Sequence, residues 1–203
     1  MAAKQVEKRK LELISRNVPT CKNILDLGAG DGAYLPHLAH KAGMVVALEI
    51  NRDLCSVIKT DGFEVILADA RFIPFKSHAF ECVWASEIVE HTPSLDIFSE
   101  VERVSQGTIV ITMPNPLSPH YKRDSTHVLK YSLFSLSRFL KARSKTTDWR
   151  YAMRGLGFYW IPAPGFVKKL SAYITYYLPY LSPTIAILGK VVHKSQFGIY
   201  GSR

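Results

Sequence analysis

Apolar residues in this chain gather into short blocks, and the stretches between the blocks carry a helical period. Ile24, Leu25 and Leu27 form the first block, a buried strand that runs into glycines at 28, 30 and 32. Residues 44–49, 63–67, 80–85 and 108–113 repeat the block as second to fifth strands. Residues 34–42, 53–60 and 95–104 lie between strands and space their apolar positions for one helical face. Ahead of the first strand, Val6, Leu11, Leu13 and Ile14 alternate with charge, predicting a helix that Pro19 ends.

Beyond residue 114 the pattern loosens. Residues 114–131 hold three prolines and read as a long loop. Helical spacing returns over 132–142 through Leu133, Leu136, Phe139 and Leu140. A sixth strand near 146–153, a helix around 167–177 and a final strand around 190–194, after Gly189, complete the expectation. The run 172–189 carries no formal charge and barely reaches spanning length. Pro179 and Pro183 interrupt it, so it reads as a helix and loop packed on the sheet.

Apolar strands alternating with helices predict an α/β fold, a parallel sheet covered on both faces. Right-handed crossovers bring the strand C-termini to one edge, where open sheets bind ligands. Asp26, Glu49, Asp69 and the residues after Ala85 all fall at that rim. Gly28, Ala29 and Gly30 form the first turn there, and the missing side chains let backbone come close to a ligand. Asp31 inside the loop argues against a diphosphate cradle. The chain also lacks a G-x-G-x-x-G in phase and a G-K-[ST].

Asp26, Gly28, Gly30 and Gly32 resemble the first motif of class I S-adenosylmethionine-dependent methyltransferases, of the type 11 branch. The resemblance extends over residues 20–145 and more loosely to the C-terminus. It implies a Rossmann-like fold with a seven-stranded, mostly parallel sheet. One domain, 1–203, would then comprise an N-terminal helix (1–19), a cofactor-binding half (20–113) and a substrate side (114–203). S-adenosyl-L-methionine is the implied cofactor. Glu49 resembles the acid that accepts hydrogen bonds from both ribose hydroxyls, a task suited to two carboxylate oxygens. Asp69 and Ala70 are similar to the adenine-contacting motif, with Ile50 and Arg71 flanking the ring. Ser86 and Glu87 stand where the family lines the methionine end, and Asp26 organises the glycine loop. Glu90 and His91 match a Glu-His pair of this region, His91 being either a helix cap or a pocket residue.

The acceptor side is read from the segment after the fifth strand. Asp124, His127 and Tyr131, in DSTHVLKY, resemble the branch that methylates small molecules, lipids or sugars. His127 can take or orient a hydroxyl proton near neutral pH, or else cap the helix begun at Ser132. His120 and Tyr121 are further pocket candidates, and Lys122 and Arg123 could meet an acidic acceptor. Met-Pro-Asn-Pro at 113–116 lacks the second proline and aromatic of base-methylating signatures, and follows the wrong strand for them.

Composition narrows this little. The chain is 203 residues long, 47% apolar and 21% charged, as a globular domain is. The net charge of +9 allows nucleic acid, an anionic membrane or an acidic metabolite as partner, yet no basic run resembles a nucleic-acid arm. Cys21, Cys55 and Cys82 share no metal-like spacing and suit a reducing, cytoplasmic interior; no signal peptide is visible. His37 and His40 share a helix face but have no third ligand, so no metal is expected. The leading expectation is methyl transfer to a small or lipid-like acceptor at oxygen, with peripheral membrane contact as a further option. RNA or protein methylation and a non-catalytic cofactor-binding role are the alternatives.

Overall fold

A computed structural model describes residues 2–117, 121, 124–129, 131–143, 146–149, 154–155, 164–177, 182 and 184–192. In chain order the elements are α1 (Ala2–Asn17), β1 (Cys21–Leu27), α2 (Leu35–Ala39), β2 (Ala42–Glu49), α3 (Arg52–Thr60) and β3 (Glu64–Leu67). They continue as β4 (Phe80–Ser86), a 3-10 turn (Val89–His91), α4 (Ile97–Val104), β5 (Ser105–Pro114) and α5 (Leu133–Ala142). Two short strands, β6 (Thr147–Asp148) and β7 (Arg154–Gly155), precede α6 (Gly165–Tyr177) and β8 (Thr184–Val191).

The strands form one sheet in the order β3-β2-β1-β4-β5-β8, with β6 and β7 both paired to β8. Neighbours from β3 to β5 are parallel, and β8 is antiparallel to β5 and to both short strands. β5 pairs along β8 from Thr184 to Lys190, so β6 and β7 share the other edge. The sheet thus has seven positions, the arrangement expected. Period-two alternation divides the central strands between two cores. Leu25, Val83 and Ile109 join Phe98 and Leu136 on one face, while Ile24, Trp84 and Val110 join Leu38 and Ile58 on the other. Burying each such side chain stabilises the fold by about 1.5–3 kcal/mol.

Three elements differ from the sequence reading. The first helix between strands is only Leu35–Ala39, because β2 already begins at Ala42. Of the expected sixth strand, the described residues show Thr147–Asp148 as β6, and a further two-residue strand, β7, lies just past it at Arg154–Gly155. The last strand runs from Thr184 and contains Gly189, rather than following it. A Cβ at Gly189 would lie 2.5 Å from the Trp149 ring, so this glycine marks a close approach within a strand, not a break before one. The uncharged run at 172–189 therefore contributes the end of α6 and most of β8. Among the described residues no helix is long and apolar enough to cross a membrane.

Candidate functional site

The loops leaving β1, β2, β3 and β4 enclose a cleft of about 450 Å³ on the C-terminal rim of the parallel strands. Gly28, Gly30, Glu49, Ile50, Asp69, Ala70 and Glu87 line it, each already singled out in the sequence. At Gly28 and Gly30 the backbone is left-handed, with φ of +71° and +60°. A Cβ on Gly28 would meet Ile88 Cδ1 at 2.4 Å, whereas one on Gly30 would meet nothing within 4 Å. The first glycine closes the loop against the 87–93 segment, and the second leaves its backbone open to the cleft. The amides of Gly28 and Ala29 both donate to the Leu48 carbonyl, at 2.8 and 3.2 Å, which ties the loop to β2.

Glu49 is buried at the end of β2. Its Oε2 accepts from the Gly30 amide at 2.8 Å, and its Oε1 accepts from the Ile50 and Asn51 amides, each at 2.9 Å. Oε2 therefore keeps one acceptor direction toward the cleft, which suits a ribose hydroxyl. Ile50 is 66% exposed beside it, a large apolar side chain placed to cover a flat ring. Asp69 is held by Arg71, whose Nε and Nη2 reach Oδ2 at 2.9 and 2.6 Å. That hydrogen bonding keeps the Asp69 carboxyl below the usual carboxylate range.

Glu87 stands at the other end of the cleft. It has a left-handed backbone, φ 54°, and its amide donates to the Thr112 carbonyl at 2.8 Å. Thr112 Oγ1 donates to Glu87 Oε1 at 2.9 Å and lies 2.9 Å from Ser86 Oγ. Buried Lys10 of α1 completes the group, its Nζ 3.3 Å from Glu87 Oε1. The sequence reading passed over Lys10, although it lies at i,i+4 spacing on the stripe that continues through Ile14 and Val18. Asp26, Ala29 and Ser86 stand behind the lining and shape it. Burial, then the charge on Glu49, pushes the Asp26 carboxyl up to about 8, and its Oδ2 has no hydrogen-bond partner.

Residues 124–129 fold onto the turn after β4, where Val128 and Leu129 both donate their amides to the Glu90 carbonyl at 3.0 Å. His91 lines the cleft, and the His127 ring packs edge-on against it with centroids 5.1 Å apart. His127 stands behind His91 and does not cap α5; Ser132 does, accepting from the Ser135 amide at 3.0 Å. Asp124 Oδ2 lies 3.6 Å from His127 Nε2, while Asp124 Oδ1 accepts from the Thr126 amide and hydroxyl. The Tyr131 hydroxyl donates to the Pro114 carbonyl, and burial raises its pKa. Glu90 is buried with Oε2 unpartnered, and burial followed by the charge on Glu87 raises its pKa. The acceptor candidates His120, Lys122 and Arg123 lie outside the described residues.

The strand order and the mostly parallel sheet are the class I methyltransferase fold. Residues 25–111 match the family described as Methyltransferase domain. The chain is similar to sarcosine/dimethylglycine N-methyltransferase of Halorhodospira halochloris, with 30% identity over 118 residues, 52% of this chain and 42% of the relative. The chain therefore spans about two-fifths of that relative's length. Its fold is similar to a SAM-dependent methyltransferase from Archaeoglobus fulgidus, with TM-score 0.65, 19% identity and coverage of 92% and 93% of the two chains. It is also similar to geranyl diphosphate C-methyltransferase from Streptomyces coelicolor A3(2), with TM-score 0.67, 16% identity and coverage of 93% and 78%.

Proposed function

We propose that this chain transfers the methyl group of S-adenosyl-L-methionine to a small or lipid-like acceptor, at oxygen. The observation that carries the reading is the cleft itself, with Glu49 locked to the Gly30 amide at one end and Glu87 and His91 at the other. Bound there, the cofactor supplies an electrophilic methyl on a sulfonium centre. Glu49 would hold the ribose, Ile50 and Ala70 the adenine, and Glu87 the amino-acid end. Asp69 would share its carboxylate between the adenine and Arg71.

Among the acceptor-side residues, His91 would face the acceptor. His127 and Asp124 would position it from behind, and Tyr131 would tie the segment before α5 to β5. A small acceptor is supported by the sarcosine/dimethylglycine relative, whose name points to nitrogen as the competing atom. A lipid-like acceptor is supported by α6, where Phe166, Val167, Leu170, Tyr173 and Ile174 follow one helical face and are exposed. Charge supports it as well. Residues 125–203 carry twelve Lys and Arg against the single acid Asp148, so the excess lies entirely in this part. An exposed apolar face flanked by cations suits an anionic membrane surface.

Incubation with methyl-labelled cofactor and fractionated cell extract tests the reading. Label in the lipid or small-molecule fraction is expected, with an O-methyl linkage in the product. Label in RNA would instead favour the second reading, which rests on the same basic excess and requires salt-sensitive binding. Calorimetry that finds no saturable cofactor binding to the folded protein would remove both.

A further inference from the structure

Glu90, His91 and His127 come from two segments far apart in sequence, and their candidate ligand atoms all lie within 4.8 Å of one another. Several features distinguish this cluster from a chance grouping. Glu90 is 1% exposed and its Oε2 has no partner, a costly state for a polar atom unless something occupies the space before it. His91 Nδ1 faces the Thr126 carbonyl at 3.1 Å, and His127 Nδ1 faces the Tyr121 carbonyl at 3.0 Å. A carbonyl only accepts, so each ring donates from Nδ1 and keeps its lone pair on Nε2. That is the outer hydrogen bonding by which metal-binding histidines are oriented. Asp124 Oδ2, 3.6 Å from His127 Nε2, adds a second carboxylate at the edge.

We propose that Glu90, His91 and His127, with Asp124 at the margin, bind one divalent first-row transition ion at the acceptor end of the cleft. Two imidazoles and a carboxylate suit Mn²⁺, Fe²⁺ or Zn²⁺ better than an all-oxygen ion such as Ca²⁺. Three protein ligands leave coordination positions open, and His91 sits on the cleft wall, so the open side faces the acceptor.

The role in transfer rests on the methyltransferase reading; the binding of the ion does not. An acceptor hydroxyl coordinated to the ion loses its proton to water more readily. The resulting oxyanion forms an oxygen–carbon bond to the methyl group as the carbon–sulfur bond breaks. The electron pair of that bond stays on sulfur. This assigns the two histidines to holding a Lewis acid instead of removing a proton, and it explains why His127 stands behind His91.

The test uses the full chain freed of metal with a chelator. Mn²⁺ and Zn²⁺ are titrated separately, by electron paramagnetic resonance and calorimetry, and S-adenosylhomocysteine binding is measured alongside. One ion per chain is expected, with affinity weakened by more than about tenfold in His127→Ala and in Glu90→Gln. Both variants are checked for native circular dichroism, and His127→Ala carries the test if the buried Glu90 change fails to fold. S-adenosylhomocysteine binding should persist in His127→Ala. No saturable uptake of either ion by the wild type, or uptake unchanged in His127→Ala, overturns the proposal. Wild-type protein that binds the ion but not S-adenosylhomocysteine would remove the methyltransferase reading and leave the metal site standing.

Discussion

The Gly30 amide donates to Oε2 of Glu49 at 2.8 Å, joining the loop after β1 to the acid that ends β2. This bond sets both the conformation of the glycine turn and the orientation of the carboxylate at the rim. The two oxygens already satisfy three backbone amides, so the side chain is fixed before any ligand arrives.

Glu49→Gln tests that coupling. The amide keeps the shape but replaces one acceptor oxygen with a donor, which faces the backbone amides or the ribose. Loss of a charge-assisted bond of about 1.5–3 kcal/mol predicts roughly 10- to 100-fold weaker S-adenosylhomocysteine binding by calorimetry. Affinity equal to wild type would show that the ribose does not meet this carboxylate.

Gly28→Ala should act through Ile88. The new Cβ would stand 2.4 Å from Ile88 Cδ1 on a backbone at φ +71°, so both overpacking and conformational strain are imposed. Each contributes about 1–3 kcal/mol of destabilisation. Adding Ile88→Ala removes the clash and leaves the strain, so the double variant should recover part of the lost denaturation midpoint beyond the cost of Ile88→Ala alone. Strictly additive effects would mean that the contact does not matter.

Asp26 gives the fold a pH dependence of known sign. Its carboxyl titrates at about 8 when folded, against about 3.9 in an unfolded chain. The folded state therefore keeps its proton over a window in which the unfolded state has lost it. Stability contributed by this group is full at acid pH and falls as pH rises toward about 8. Melting temperatures of the ligand-free protein between acid and mildly alkaline pH should fall more steeply for wild type than for Asp26→Asn, which stays neutral. Parallel curves would refute the assignment.

Much of the fold could be read from the sequence because the central strands are apolar on both faces. Period, length and the acids at their ends agree there. The rim of the cleft followed, since Asp26, Glu49 and Asp69 each arrive from a separate strand. What escaped depends on contacts between distant segments. Lys10 looks like one more surface cation until α1 packs and places it on Glu87. The grouping of Glu90 and His91 with His127 exists because the Val128 and Leu129 amides dock on the Glu90 carbonyl. No local spacing encodes that; the only histidine pair that local helical spacing brings together is His37 with His40. Gly189 was misread for the same reason: the ring that requires a glycine there belongs to Trp149.

The exposed face of α6 makes the last prediction. Phe166, Leu170, Tyr173 and Ile174 are each at least 41% exposed, and Lys169 is exposed on the same helix. Burying such a face at a lipid interface stabilises by its apolar area, and cations near an anionic surface add about 1 kcal/mol each. Full-length protein should co-sediment with vesicles containing phosphatidylglycerol more than with phosphatidylcholine alone, and high salt should weaken that difference. Leu170→Asp, placed on the exposed apolar face, should reduce sedimentation while S-adenosylhomocysteine binding stays intact, because none of the residues lining the cleft at the rim of β1 to β4 comes from α6. Equal recovery in the supernatant with and without vesicles would remove membrane contact as a reason to favour a lipid-like acceptor.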